Sequence, residues 1–282
     1  MSRPSIGSIQ RTPRFHVVEG DASKMDLLRN EEVDLVICSP PYFSPETERK
    51  LKQPLREQVF RRDVRKELEE FARSLRPVFK EIGRVLKPGG VVALQTKDIR
   101  YGSVLIRLAD IHRGMVEDLG LELVNRIYWR KIRTNRLAAH FRRNPIVGAF
   151  RSDEVEDILF FSKGDIPLEP RTPVELDPRE IASCSDAVWT LPSAGSRRTH
   201  PHQSPKCLVR RIMALYSRPG ELVADPFLGH GTTIEVAVEM GRDAVGYEID
   251  PGRVASAEAR LQDLFLEPTA TSIHARRKEC LR

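Results

Sequence analysis

The sequence lacks the features that mark membrane and secreted proteins. No apolar run approaches the roughly 20 residues that a membrane-spanning helix needs, and the first 15 residues contain no apolar core of a secretory signal. Only four cysteines occur in 282 residues, and they do not have the paired spacing of a metal site. We therefore expect a cytosolic protein with reduced thiols, no membrane partner and no bound metal.

Acidic residues are absent from one long stretch of the chain. Residues 126–143 contain seven Lys and Arg and no Asp or Glu, although the formal net charge of the whole chain is only +6. Residues 49–66 contain eight basic residues against two acidic ones, and aromatic residues are interleaved in both runs. A solvated basic surface explains either run alone. Basic runs that contain aromatic residues favour a nucleic-acid partner, because their cations displace the counterions condensed on a polyanion.

Regular alternation of elements is missing from only one part of the chain. Elsewhere short apolar strands alternate with amphipathic stretches, such as the helix predicted over residues 65–86. This alternation predicts an α/β fold with a mostly parallel sheet covered by helices on both faces. Residues 163–203 contain six prolines and few periodic positions, and such a length is unusual for a simple connection. They predict an irregular insert, part of which packs through Trp189.

One predicted strand ends in two prolines and an aromatic residue. Residues 37–43 read ICSPPYF and follow the apolar run VDLV. Proline has a fixed φ and no N–H to donate, so the strand must stop there and continue as a stiff, extended turn. That turn holds Tyr42 in one place, and the simple alternative is a strand terminator with a surface tyrosine.

A glycine-containing motif lies near the C-terminal end. Residues 223–233 read VADPFLGHGTT, the pattern of a strand, a tight turn and a helix start, and Gly229 and Gly231 let a ligand approach the backbone closely. The next strand ends in Glu248, 23 residues after Asp225, where an acid binds ribose hydroxyls in dinucleotide-type folds. An ordinary βαβ turn with a solvated glutamate is the alternative. Asp225 would repel a pyrophosphate, so the motif favours a nucleoside that carries a cation.

Together these motifs resemble those of the DNA amino-methyltransferases, which methylate exocyclic amines with S-adenosylmethionine. SPPY at 39–42 precedes DPFLGHGTT at 225–233, as in the β-type, circularly permuted arrangement of that family. Three other stretches fit in order, namely EGDA at 19–22, EIGRVLKPGGVVAL at 81–94 and HPHQSPKCLVRRIM at 200–213. The resemblance covers roughly residues 15–265. It implies a Rossmann-like, mostly parallel seven-stranded sheet with helices on both faces and an irregular target-recognition insert.

The resemblance also implies a cofactor and assigns roles to residues. S-adenosylmethionine is the implied cofactor, and Ser204 stands where many members of the family carry lysine. The catalytic motif comprises Ser39, Pro40, Pro41 and Tyr42. The implied cofactor contacts are Asp21, Ala22, Ser204, Asp225, Pro226, Phe227, Gly229, Gly231, Thr232, Thr233, Glu248 and Asp250.

The chemistry of methyl transfer explains the residue types in the SPPY motif. The lone pair of an exocyclic amine is delocalised into its ring, so the amine is a poor nucleophile. Hydrogen bonds from its two N–H groups to the Ser39 side chain and the rigid Pro40 carbonyl would help to localise that lone pair. Tyr42 would stack on a base that has left the duplex. Cys38, which precedes the motif, is interpreted as a small core residue and not as a nucleophilic thiolate.

The predicted organisation follows from the same resemblance. Residues 1–14 form an N-terminal segment, 15–162 the catalytic half, 163–203 the target-recognition insert, 204–267 the cofactor-binding half, and 268–282 a flexible basic tail. The predicted DNA contacts are Arg130, Lys131, Arg133 and Arg136 to phosphates, and Arg197 and Arg198, in the insert, to the bases.

The expected reaction is methylation of the N4 amine of a flipped cytosine in duplex DNA, in a prokaryotic cytosol or nucleoid. The serine of SPPY favours cytosine within this family, whereas DPPY is typical of adenine N6 enzymes. Three alternatives stay open: adenine N6 methylation, methylation of a protein glutamine or an RNA amine, and a non-catalytic nucleic-acid-binding protein. A cognate restriction endonuclease and a homodimer are further open partners.

Overall fold

The computed structural model describes residues 12–44, 57–101, 104–132, 155–166, 175–194 and 203–266. The predicted DNA contacts Arg133, Arg136, Arg197 and Arg198 lie outside these residues. Within them the strands are β1 (Phe15–Glu19), β2 (Val33–Cys38), β3 (Leu86–Thr96), β4 (Ile99–Tyr101), β5 (Val104–Ile106), β6 (Glu122–Ile132), β7 (Val155–Ser162), β8 (Val188–Pro192), β9 (Leu222–Asp225) and β10 (Asp243–Glu248). The helices are α1 (Glu57–Val85), α2 (Leu108–Glu117), α3 (Pro178–Cys184), α4 (Lys206–Tyr216), α5 (Thr232–Glu239) and α6 (Pro251–Leu266).

The strands form one large sheet and one small hairpin. Across the described part of the chain, the large sheet has eight strands in the order β1-β10-β9-β2-β3-β7-β6-β8, and β4 pairs only with β5. The first five strands of that order are mutually parallel, and β7 is antiparallel to both of its neighbours. The predicted mixed α/β fold is therefore confirmed, and β2 lies beside β9.

The number of strands differs from the seven that were predicted. The additional strand is β8, which lies inside the segment predicted as an irregular insert and pairs in parallel with β6. The prediction missed it because the prolines of the insert hide a five-residue strand in the sequence. Trp189 of β8 is buried, in agreement with the expectation that part of the insert packs.

Alternation along the strands divides the hydrophobic core into two layers. On one face, Leu35 of β2 and Ala93 of β3 pack with apolar residues of α4, α5 and α6. On the other face, the neighbouring residues Val36 and Leu94 pack with apolar residues of α1 and α2. Because successive side chains of a strand point to opposite faces, each central strand serves both layers.

Helix boundaries depart modestly from the predictions. α1 is longer than the predicted helix over 65–86, and Pro77 lies inside it. The KPGG segment follows α1 directly as the start of β3, where Gly89 has a φ of 75°. None of the helices in the described ranges combines the length and apolar character of a bilayer span.

Candidate active site

The glycine turn joins β9 to α5 and is organised by Asp225. The Oδ1 atom of this carboxyl accepts a hydrogen bond from the Phe227 backbone N–H at 2.9 Å, and its Oδ2 atom accepts one from the Thr233 hydroxyl at 2.6 Å. Gly231 has a φ of 82° at the start of α5, and a Cβ there would lie 3.0 Å from the Ala257 Cβ. Glycine is therefore required for both the turn and the close approach of α6.

Burial makes Asp225 unusually basic for a carboxyl group. Asp225 is only 4 % exposed, and desolvation raises the pKa of its carboxyl group from 3.8 to about 6. The hydrogen bonds from Thr233 and Phe227 oppose that rise, whereas the charge of Glu248 adds to it. A nearby cation would lower this pKa again, because a positive charge favours the ionised form of the carboxyl group.

Glu248 ends β10 next to the glycine turn. Its Oε2 atom accepts a hydrogen bond from the Gly229 N–H at 2.9 Å, and its Oε1 atom accepts one from the Asp250 N–H at 3.0 Å. A carboxylate has about four lone-pair sites, so Glu248 keeps acceptor capacity for a ligand hydroxyl. The next residue, Ile249, is 69 % exposed. Its exposure makes it a candidate ligand contact, whereas the sequence shows only that it stands between two acids.

The other predicted cofactor residues differ in what they contact. Asp250 accepts hydrogen bonds from the backbone N–H groups of Gly252 and Arg253, which caps the start of α6. Asp21 is exposed just after β1, at the same edge of the sheet as Glu248, since Gly20 donates its N–H to the Glu248 carbonyl. Ala22, Pro226 and Thr232 are buried beside these turns, and Phe227 is half-buried.

The SPPY turn begins where β2 ends. Because β2 and β9 are parallel neighbours, their carboxyl ends lie at one edge of the sheet, and Ser39 follows β2 there as Pro226 follows β9. Cys38 is buried in the core, and burial, followed by the charge of Asp225, raises its pKa well above the ordinary value. The interpretation of Cys38 as a core residue is confirmed.

Tyr42 is attached to a network that the sequence did not reveal. Its hydroxyl donates to Glu156 Oε2 at 3.0 Å, and the Gln95 amide donates to the same oxygen at 2.6 Å. Lys131 Nζ donates to the other oxygen at 2.5 Å, and Ser204 Oγ donates to Gln95 Oε1 at 2.8 Å. The network joins the SPPY turn to the ends of β3, β6 and β7 and to the residues before α4.

Arg130 and Lys131, both predicted to contact DNA phosphates, point to opposite faces of β6. Side chains alternate along β6, so Lys131 points to the same face as the buried Trp129, and its ammonium lies 5.0 Å from that ring. Arg130 points to the opposite face and is exposed, with its guanidinium bonded to the Thr190 hydroxyl. Lys131 thus has a carboxylate partner, Glu156, inside the site. The inward direction of its side chain could have been expected from the sequence, because it lies two residues after Trp129 on a strand.

A second connection links the residues before α4 to the glycine turn. The Gln203 amide donates to the Thr232 hydroxyl at 3.1 Å, while Ser204 next to it bonds to Gln95 on the other side. The segment before α4 therefore touches both the glycine turn and the network around Tyr42. Both turns lie at the carboxyl ends of two adjacent parallel strands, which is where ligands bind in the crevices of open α/β sheets.

Comparison with known proteins identifies the family. A family model described as DNA methylase, whose label joins N6 and N4 methyltransferases, matches residues 33–259. The chain belongs to the DNA methylase family. The matched residues include both the SPPY turn and the glycine turn, so one family model covers the two motifs of this DNA methylase.

Relatives and solved structures agree with this assignment. The methylase is 31 % identical over 278 residues to the Type II methyltransferase M.MjaI of Methanocaldococcus jannaschii, covering 86 % of this chain and 89 % of that protein. It is 26 % identical to a DNA modification methylase, described as putative, from Thermus thermophilus, solved as a complex with S-adenosyl-L-methionine; the TM-score is 0.65, with 88 % and 92 % of the two chains covered. The cytosine-N4-specific PvuII DNA methyltransferase shares the fold, with a TM-score of 0.67, 20 % identity and coverage of 92 % and 89 %.

Proposed function

We propose that this DNA methylase transfers the methyl group of S-adenosylmethionine to the exocyclic N4 amine of a cytosine in duplex DNA. The observation that carries the proposal is the position of the SPPY turn and the glycine turn at adjacent ends of β2 and β9. One turn suits a target amine and the other a nucleoside cofactor, so donor and acceptor would meet in one crevice.

The residues of the crevice fit S-adenosylmethionine. The cofactor supplies, when bound, an electrophilic methyl group on a sulfonium. Glu248 has acceptor capacity for ribose hydroxyls, and the exposed Ile249 beside it offers an apolar surface for a purine ring. Asp225 suits the cationic end of the cofactor, because its raised pKa is lowered again by a neighbouring positive charge.

The SPPY turn is suited to hold and activate the amine. The Pro40 carbonyl is rigid because two successive prolines restrict the backbone on either side. Ser39 and that carbonyl would accept the two N–H bonds of the amine without reorganisation during the reaction. Burial and then the charge of Glu156 raise the pKa of Tyr42 well above its ordinary value, so its hydroxyl stays protonated and does not act as a base. The proton of the methylated amine leaves to water after the transfer.

The ring of Tyr42 is suited to stack on the flipped base from one side. Lys97 Nζ lies 4.7 Å from the ring centroid on one face, a cation–π arrangement. The base would therefore take the opposite face, which fixes the side from which the amine enters the crevice.

The choice of cytosine rests on Ser39, since SPPY is typical of N4 enzymes in the family. We assign Arg130, Arg133 and Arg136 to DNA phosphates and the insert, with Arg197 and Arg198, to recognition of the target sequence. Lys131, predicted for the same phosphate group, is engaged by Glu156. Relationship to a Type II methyltransferase supports a place in a restriction–modification system.

Identification of the methylated nucleoside tests the proposal. The protein is incubated with duplex DNA and S-adenosylmethionine, the DNA is digested, and the nucleosides are identified by mass spectrometry. We expect N4-methylcytosine from the wild type and no product from Tyr42→Ala. If N6-methyladenine were the only product, the target base would be adenine, and the assigned fold and cofactor would still hold. If 5-methylcytosine were found, the mechanism would be wrong, because methylation at C5 requires a thiolate nucleophile.

A further inference from the structure

We propose that Glu156 is a positioning residue for Tyr42: it fixes the ring against which the target base is held. The proposal rests on the proposed function, because it takes Tyr42 as the residue that stacks on the base. Glu156 itself is not expected to touch the base, the cofactor or the transferred methyl group.

Glu156 is almost completely removed from solvent. It is 2 % exposed, near the start of β7, and pairs across the sheet with the buried Trp129 of β6. Both of its oxygens are engaged: Oε2 accepts from the Tyr42 hydroxyl and the Gln95 amide, and Oε1 accepts from Lys131, with Lys97 3.8 Å away. Two lysines therefore balance one buried carboxylate.

Such an arrangement is poorly explained by stability alone. Removing charges from water is costly, and replacing a buried ion pair by well-packed apolar residues is often neutral or stabilising. What a satisfied buried network does provide is a fixed geometry for each of its members. Here the member that reaches the crevice is Tyr42.

The network holds Tyr42 at the end opposite its backbone. The two prolines restrict the chain before the residue, and the bond to Glu156 restricts the hydroxyl at the far tip of the ring. Lys97 packs over one ring face at 4.7 Å. The ring is therefore held at both ends and on one face, which fixes its orientation in the site.

The orientation of Gln95 is fixed in the same way. Ser204 donates to Gln95 Oε1, so the amide NH₂ group of Gln95 must face Glu156. Every partner of the carboxylate is therefore a donor. A glutamine at position 156 would have only one acceptor oxygen and would turn an NH₂ group towards another donor.

Glu156→Gln therefore tests the proposal with little change in volume. We expect a loss of roughly 100-fold in the single-turnover rate of methyl transfer, the size of effect that a small misplacement of a reacting group produces. Affinity for S-adenosylmethionine, measured by calorimetry, and affinity for DNA, measured by fluorescence anisotropy, should stay unchanged. The melting temperature should fall, because Lys97 and Lys131 lose their carboxylate partner, so all rates are measured well below it. An unchanged single-turnover rate would overturn the proposal.

Asp157→Asn is the matched control. Asp157 is the next residue of β7, points to the opposite face, and forms an ion pair with Arg126 at 2.6 Å. The control removes a carboxylate charge from the same strand and leaves the network intact, so its transfer rate should equal that of the wild type. A rate loss equal to that of Glu156→Gln would make the effect a general one of charge on β7 and would overturn the proposal.

A double-mutant cycle with Tyr42→Phe separates positioning from other roles. Tyr42→Phe removes only the hydroxyl that Glu156 holds, and we expect it to lower the transfer rate while DNA and cofactor affinities persist. In the Tyr42→Phe background, Glu156→Gln should lower the rate much less than it does alone, because both changes break one interaction. Fully multiplicative losses would show that Glu156 acts elsewhere. If Glu156→Gln did not fold, an unchanged rate in Tyr42→Phe alone would still overturn the proposal, whereas a wild type without methyl transfer would refute the proposed function instead.

Discussion

At the scale of single residues, Asp225 shows how the crevice is prepared for a charged ligand. A folded-state pKa of about 6, against 3.8 for an ordinary aspartate, means that the folded protein binds a proton which the unfolded chain has already released. Between these two values stability falls as the pH rises, by roughly 3 kcal/mol in total. This buried acid therefore destabilises the free protein at neutral pH, a cost that a cationic ligand can offset.

The same pKa predicts how cofactor affinity depends on pH. If the ligand prefers the ionised form of Asp225, affinity for S-adenosylmethionine should fall as the pH drops below about 6, approaching tenfold per pH unit. Asp225→Asn should bind more weakly at pH 7 and lose this dependence. Calorimetry of both proteins from pH 5 to 7.5 measures the difference, and the variant corrects for titration of the cofactor itself. Parallel curves for the two proteins would contradict the role of Asp225.

The sequence indicated the residues of the two turns that we propose as ligand contacts, because glycines, prolines and acids at strand ends have few structural explanations. Glu156, Gln95 and Lys97 were not visible in the same way. They lie at the ends of β3 and β7, and those two strands meet only through antiparallel pairing. No local pattern in DEVEDILFF indicates that Glu156 will be buried and bonded to Tyr42, which lies 114 residues away in the chain.

At the scale of elements, β8 ties the insert to the sheet. Trp189 is 1 % exposed, its ring centroid lies 6.4 Å from that of Phe160, and the Arg211 guanidinium lies 5.1 Å from the Trp189 ring centroid. The strand is thus anchored by its one large side chain on the side of α4. The prolines that hid β8 in the sequence flank this anchor, which explains why composition predicted an irregular segment.

Removal of this anchor should destabilise the protein. Trp189→Ala is expected to lower the free energy of unfolding by about 3–5 kcal/mol, because it deletes a fully buried aromatic ring. Val188→Ala is the control, since Val188 is 43 % exposed on the opposite face of β8. Urea unfolding followed by circular dichroism measures both. Equal and small effects would show that β8 contributes little to the folded state.

At the scale of the whole molecule, two groups of arginines should contribute differently to DNA binding, one through phosphate contacts and the other through recognition of the base sequence. Each phosphate neutralised adds close to one unit to the slope of log affinity against log salt. Replacing Arg133 and Arg136 together by alanine should flatten that slope by roughly two units and weaken binding to all sequences alike. Replacing Arg197 and Arg198 should instead narrow the difference in affinity between cognate and random DNA.

Fluorescence anisotropy over a range of salt concentrations tests this division. Arg76 and Arg113 provide a matched control pair, because both form exposed ion pairs on helices, with Asp118 and Glu117. Their double replacement should leave slope and specificity unchanged. A loss of specificity with an intact salt slope in Arg133→Ala/Arg136→Ala would reverse the assignment of the two segments.

The class of fold was predictable from alternation of strands and helices, but the order of strands was not. Two strands from the C-terminal half, β9 and β10, lie between β1 and β2. Periodicity describes which residues form a strand and which face is buried, and it carries no information on neighbours far apart in the chain. The adjacency of the SPPY turn and the glycine turn therefore had to come from the structure, in which β2 and β9 are neighbours.

That strand order also determines when the protein can finish folding as it leaves the ribosome. In the described sheet β1 pairs with β10 alone, and β9 fills the side of β2 that faces away from β3. Translation at about 5–20 residues per second places roughly 10–45 seconds between the synthesis of Glu19 and that of Asp243. Throughout that interval β1 has no partner in the sheet, and such open edges invite pairing with other chains. The SPPY turn and the glycine turn are therefore brought together only after β9 and β10 have been synthesised, so the proposed site cannot form before Glu248 has left the ribosome.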